Sequence, residues 1–294
     1  LNDQDRKIEL LSNVMGASAD AEFYPEALFE LGRSYAVQEK DTEAMECFEK
    51  ISKTVKDSTY VAKSYIEMGS IARNQSMFNE ALGYYKVVVE QMPLSEYAEH
   101  ALMSIESIYQ TKNQTEEYLA YIDSIGKGDV KTEAEKEEMI FNSAEQVYLS
   151  ENYSKALVSL QAYKDQYPEG RNLYKADFYM AESYKALGKL EQACDSYASV
   201  IGIGEGSFVE LAMLNFSNLS YRLERWEDAF GGYSSLRDAA QFENNVYLAM
   251  VGMMRSAYRG HDWNRAISSA QSLVESGKCT DEDKVEAEYV MAKS

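Results

Sequence analysis

Apolar residues recur along this chain in one order: apolar, two residues, apolar, small, two residues, then apolar or aromatic. Ala follows twelve residues after the small one, and an aromatic or apolar residue comes four later. The first repeat reads Leu28, Leu31, Gly32, Tyr35, Ala44 and Phe48, and the second Tyr65, Met68, Gly69, Ala72, Ala81 and Tyr85. Ile140, Ala144, Val147, Ala156 and Leu160 form the fourth, and Met180, Ala181, Tyr184, Ala193 and Tyr197 the fifth. Met213, Phe216, Ser217, Ala229 and Tyr233 make the sixth; Met250, Met253, Ala257, Ala266 and Ala270 make the seventh. In the third, Ala101, Ile105 and Ile108 fit, but Glu117 stands where Ala is expected. Counted on the small residue or its equivalent, the series runs 32, 69, 105, 144, 181, 217, 254 and 292. Steps so nearly equal are too even for chance, so the repeat organises the sequence.

Residues at i, i+3, i+4 and i+7 share one helix face, so each repeat holds two amphipathic helices. The prediction is an all-α solenoid over 1–294, with repeats at 23–57, 58–94, 95–131, 132–170, 171–206, 207–242 and 243–279. A lone second helix in 1–22, through Ile8, Leu10, Leu11 and Val14, precedes them, and a lone first helix in 280–294 follows. Both ends stop inside a repeat without a polar capping helix, which reads as a fragment of a longer protein. Gly32, Gly69, Ala81 and Ala193 fall where helices cross, and a large side chain there would overpack the contact by about 1–3 kcal/mol. Phe78, Tyr153, Leu190, Trp226 and Trp263 stand three before the second-helix Ala and are expected to wedge each turn against the next helix. Pro93 and Pro168 come after a second helix, where the chain cannot continue helically.

The spacing, small residues and turn signature together resemble the tetratricopeptide repeat family over essentially the whole chain. The step is slightly longer than is usual in that family, and the third repeat lacks its Ala. The resemblance implies antiparallel helix pairs stacked in a right-handed superhelix, with a concave groove that binds protein partners. It also implies the groove positions: three before the small anchor, one after it and four after it. The first set is Phe29, Ile66, Leu102, Phe141, Phe178, Leu214 and Val251, apolar throughout. The second is Arg33, Ser70, Glu106, Glu145, Glu182, Asn218 and Arg255, and the third includes Arg73, Tyr109, Tyr148, Lys185, Tyr221 and Tyr258. About half of the apolar set is expected to pack between neighbouring helices, since large exposed apolar patches are unusual without a partner. Members that clamp acidic chaperone tails use Lys and Asn where this chain has Phe29, Ile66 and their equivalents. The expected partner segment is instead apolar or aromatic, with a basic residue over Glu106, Glu145 and Glu182.

Composition narrows the partners further. Hydrophobic residues at 45% and aromatics at 12% give ample core-forming surface, and 3 Pro with 16 Gly are too few for a turn-rich sheet fold. Lys plus Arg number 29 against 49 Asp plus Glu, a formal charge of −20 that repels nucleic acid and anionic lipid. No run approaches the roughly 20 apolar residues of a membrane span. Cys47, Cys194 and Cys279, with His100 and His261, have no metal or disulfide spacing, and no catalytic arrangement or cofactor site can be assembled. Gly202-Ile203-Gly204-Glu205-Gly206 follows a helix rather than a strand and reads as a linker, not a phosphate loop. The polar stretch Gly126–Glu138 reads as a solvated connection, ending in a Thr132/Glu135 capping box.

These observations predict a non-enzymatic scaffold holding a segment of another protein, whose identity and oligomeric consequences the sequence leaves open. Pro93-Leu94-Ser95-Glu96-Tyr97-Ala98 resembles the Pro-x-Ser-x-Tyr-Ala helix start of bacterial envelope tetratricopeptide proteins, implying a periplasmic or outer-membrane-associated location. Three unpaired cysteines point instead to a reducing cytoplasm. Two alternatives stand beside the scaffold: a regulatory or ligand-sensing domain attached to another activity, and a self-assembling array.

Overall fold

In the computed structural model, which describes residues 3–15, 22–204 and 206–294, every regular element is a helix. The chain divides into two compact halves, residues 1–130 and 131–294. The N-terminal half holds α1 (Asp3–Met15), α2 (Tyr24–Val37), α3 (Asp41–Thr54), α4 (Ser58–Asn74), α5 (Phe78–Gln91), α6 (Tyr97–Thr111), α7 (Thr115–Ser124) and a short 3-10 turn, Gly128–Val130. The C-terminal half holds α8 (Glu133–Leu149), α9 (Tyr153–Gln166), α10 (Leu173–Ala186), α11 (Leu190–Ile203), α12 (Val209–Arg222), α13 (Trp226–Ala239), α14 (Glu243–Arg259), α15 (Trp263–Glu275) and α16 (Asp281–Lys293). Within each half every helix packs on its chain neighbours. First helices also touch first helices: α2 meets α4 and α4 meets α6, while α8 meets α10, α12 meets α14 and α14 meets α16. Each half is therefore two layers, one of first helices and one of second helices.

The turns inside the repeats share one backbone device. A residue in the left-handed region ends each first helix: Glu39, Ser76, Asn113, Glu151, Gly188, Glu224 and His261, with φ between 52° and 73°. At most of these turns the next N–H donates to a carbonyl five residues back, as Lys40 does to Tyr35 at 3.0 Å and Met77 to Ala72 at 2.8 Å. That bond satisfies a carbonyl the helix end would leave unpaired.

Small anchors work by admitting an aromatic ring. A Cβ on Gly32 would lie 2.7 Å from Phe48 Cε1, and one on Gly69 would lie 2.6 Å from Tyr85 Cε1. Phe48, Tyr85, Tyr163 and Tyr197 are fully buried, each contributing about 1.5–3 kcal/mol through removal of its ring from water. The third repeat departs from expectation by one residue. Its left-handed turn lies eight residues after Ile105 rather than seven, so buried Tyr118 takes the place of the Ala and Glu117 is exposed. Ile122 then follows four later as the buried apolar residue.

The Gly126–Glu138 stretch contains the boundary between the halves, and its capping box forms: Thr132 Oγ1 accepts from Glu135 N at 3.3 Å, and Thr132 N donates to Glu135 at 2.8 Å. Gly204, left-handed at φ 75°, ends α11, and Glu205 of that linker lies outside the described residues. Cys47 and Cys194 are buried second-helix residues; burial pushes the Cys47 thiol up to about 11 and raises Cys194 as well. Cys279 is half-buried in the connection before α16.

Candidate partner-binding face

The first-helix layer carries all the predicted groove positions. In the C-terminal half, Phe141, Glu145 and Tyr148 are spaced i, i+4, i+7 and so share one face of α8. Tyr179 on α10 reaches across to that face. Its ring stacks on Tyr148 at 4.5 Å between centroids and lies 6.3 Å from Phe141, and its hydroxyl donates to Glu145 Oε1 at 2.7 Å. Burial, with Glu145 next to it, raises the Tyr179 pKa, so the phenol is protonated and is the donor in this pair. Glu182, one repeat on, is more heavily engaged: its Oε1 accepts from Lys185 at 2.7 Å, from Asn215 at 3.1 Å and from the Tyr197 hydroxyl. Asn218 accepts from Tyr233 at 2.7 Å. Arg255 is bound by Glu286, at 2.5 Å, and Asp283, at 3.1 Å.

The third set of positions forms a row of braced rings. Tyr148 leans on Tyr153 at 6.0 Å, Tyr221 on Trp226 at 5.0 Å and Tyr258 on Trp263 at 5.8 Å. Each bracing ring is the first residue of the following second helix. These three turn aromatics brace the first helix of their own repeat, and Trp226 also meets the next one, where a Cβ on Gly260 at the end of α14 would lie 3.0 Å from the Trp226 Cβ. Lys185 interrupts the row.

In the N-terminal half, Arg33 is exposed between Glu30 and Glu67, at 3.5 and 3.7 Å. Tyr109 is buried and its hydroxyl accepts from Lys86 at 3.3 Å, while Arg73 is exposed. Glu106 accepts from the Tyr118 hydroxyl at 3.1 Å. The apolar set splits as its packing demands: Phe29, Phe141, Phe178 and Val251 are buried, and Ile66, Leu102 and Leu214 are half-buried. Phe178 stacks on Phe208 at 4.3 Å with 6° between the ring planes. Of the arginines near the C-terminal end, Arg225, Arg255 and Arg265 are already paired with Glu191, Glu286 and Glu227.

Sequence reasoning missed two recurrent positions. Residues two before the anchor pair back to the residue one after the previous anchor: Glu67 with Arg33, Tyr179 with Glu145, and Asn215 with Glu182. Lysines six before the anchor lie over the preceding repeat's Phe, Lys63 over Phe29 at 5.9 Å and Lys175 over Phe141 at 5.5 Å. In every case the partners stand close to one repeat apart, and that separation was the available signal.

The family model for the tetratricopeptide repeat matches residues 26–58 and 175–202. Over these two segments the chain carries tetratricopeptide repeats. These two matched segments are the first and fifth repeats, whose small anchors and second-helix Ala residues are intact. No curated protein matches the chain in sequence. Among solved structures, a tetratricopeptide repeat protein from Parabacteroides merdae is 15% identical, with 91% of this chain and 98% of that one covered and a TM-score of 0.32. PilF from Pseudomonas aeruginosa is 15% identical over 79% of this chain and 97% of that one, with a TM-score of 0.36. The type IV pilus biogenesis factor PilW is 10% identical over 90% and 99%, at 0.37. No helix among the described residues is long and apolar enough to cross a membrane, and none of their His, Cys, Asp and Glu side chains form a group that could hold a metal ion.

Proposed function

We propose that this chain is a non-enzymatic scaffold whose first-helix faces hold an extended or helical segment of a partner protein. The observation that carries this reading is the row of half-buried tyrosines, Tyr148, Tyr221 and Tyr258, each braced by a neighbouring ring. A braced Tyr offers contact area while little side-chain freedom remains to be lost on binding. In the N-terminal half the contact set is Phe29, Arg33, Ile66, Arg73, Leu102 and Tyr109. In the C-terminal half, Phe141, Glu145, Tyr148, Phe178, Glu182, Lys185, Leu214, Asn218, Tyr221, Arg255 and Tyr258 form it. Seven repeats, from 23–57 to 243–279, each contribute one first helix. Buried Phe29, Tyr109, Phe141, Phe178 and Val251 act by holding the face in shape, and the partner meets the half-buried and exposed residues.

The segment that fits is apolar or aromatic with basic residues, because the host carries −20 formal charge. A cell-envelope setting, periplasmic or at the outer membrane, rests on the Pro93–Ala98 helix start. There Ser95 Oγ accepts from Tyr97 N at 3.2 Å and Leu94 is fully exposed. Affinity capture from separate cytosolic and envelope fractions tests both points, comparing wild type with a Tyr148→Ala, Tyr221→Ala double variant of unchanged circular dichroism. A protein retained by wild type alone, from the envelope fraction, is the expected result. Equal retention by both baits would remove the first-helix face from consideration. Localisation of the tagged protein wholly to the cytosol would remove the envelope.

A further inference from the structure

We infer that Glu145, flanked by Tyr148 and Tyr179, is the subsite that takes a single arginine of the bound segment. The inference rests on the scaffold reading above and gives it a partner chemistry. Four side chains of the C-terminal half occupy the position one after the anchor, and three are spoken for. Glu182 is neutralised by Lys185, Asn218 is uncharged, and Arg255 is held by two carboxylates. Glu145 alone among these four is a carboxylate with no cationic partner in the described residues; its contact is the Tyr179 hydroxyl at 2.7 Å.

That hydroxyl uses one lone pair of Oε1 and fixes the carboxylate's orientation, leaving Oε2 to accept. The surroundings suit a planar cation. Tyr148 and Tyr179 stack at 4.5 Å with 25° between their planes, and Phe141 lies one helical turn from Glu145. Guanidinium binds a carboxylate through parallel N–H donors and stacks on aromatic faces, whereas an ammonium is a more strongly hydrated point charge. The fold already seats cations on other rings of this layer: Lys175 lies 5.5 Å over buried Phe141, and Lys63 is ringed by Phe29, Tyr60 and Tyr97. Lys175 makes no ion pair with Glu145, so the carboxylate's charge stays available. The first repeat has Arg33 at the corresponding position and would repel the same ligand.

The test is selection of random peptides of about twelve residues, displayed on phage, by the full chain and by Glu145→Gln and Glu145→Lys variants. Wild type is expected to select apolar or aromatic sequences with Arg enriched at one position. Glu145→Gln should keep the apolar pattern, lose the Arg enrichment and bind the leading wild-type peptide at least tenfold more weakly. Glu145→Lys should replace Arg by Asp or Glu in the selected sequences. Peptides recovered by wild type without Arg enrichment, or with Arg enrichment unchanged in both variants, would overturn the subsite and leave the scaffold reading standing. Recovery of no peptide by wild type would overturn both. Lys enriched in place of Arg would overturn the guanidinium assignment.

Discussion

Two glycines on adjacent helices face opposite demands. Gly69 on α4 meets the Tyr85 ring, whereas a Cβ on Gly83 of α5 would find open space. Replacing Gly by Ala inside a helix gains about 1 kcal/mol of propensity. At Gly83 nothing opposes that gain, so Gly83→Ala should stabilise the chain by about 0.5–1 kcal/mol. At Gly69 the methyl forces a buried ring aside at a cost of about 1–3 kcal/mol, so Gly69→Ala should be neutral to destabilising and Gly69→Leu strongly destabilising. Urea denaturation of the three variants reads all three changes, and equal effects of Ala at both sites would refute the packing argument. The importance of Gly69 could be read in the sequence because a small residue recurs at that spacing. The left-handed turn residues could not, since Glu39, Glu151 and Glu224 carry none of the glycine signal that marks Gly188. Tyr179 was also missed, because its role depends on a carboxylate one repeat earlier and not on its neighbours.

Helix ends and helix docking carry two further predictions. At the start of α8, Thr132 satisfies a first-turn N–H and Glu135 returns the bond, so Thr132→Ala should cost about 1 kcal/mol, with α8 amides near its start losing exchange protection first. α16 docks through buried Ala287 and Val290, which share an apolar cluster with Val251, Met254 and Ala257 of α14, and through a set of charged contacts. Asp283 accepts from Thr280 Oγ1 at 2.6 Å, from the Tyr247 hydroxyl and from Arg255 at 3.1 Å. Burial works against ionisation of Asp283, but the Thr280 and Tyr247 hydrogen bonds and the Arg255 charge together hold its pKa below the usual 3.8. A carboxyl whose folded pKa lies below its unfolded value adds stability above the unfolded pKa and loses it as pH falls through the folded one. Asp283→Asn should therefore destabilise by about 1.5–3 kcal/mol at pH 7, with the gap narrowing below about pH 4. A difference independent of pH would mean that the Asp283 charge plays no part in holding α16. Element positions were largely legible from the repeat, including the capping box that opens α8. The third repeat was misread by one residue because α6 runs one residue further past its anchor before an ordinary turn, and a buried Tyr118 cannot be told from an exposed aromatic by spacing alone.

At the scale of the whole molecule, charge and local geometry act on different steps of binding. A formal charge of −20 sets up a long-range field that draws in a basic segment, and salt screens it over a Debye length of about 10 Å at 0.1 M. The field governs encounter, so the association rate of an Arg-bearing apolar peptide should fall about tenfold between about 50 mM and 500 mM NaCl. The dissociation rate depends instead on contacts made after docking, with the braced tyrosines and with Glu145, and should change by less than about threefold over that range. Glu145→Gln separates the two contributions, because it removes one unit from a charge of −20 while deleting a docking contact. The variant should keep nearly the wild-type salt slope of the association rate and show its loss of affinity in faster dissociation. Surface plasmon resonance across a salt series measures both rates. A variant that instead lost the salt slope would mean that one local carboxylate, not the molecule's overall charge, steers the partner.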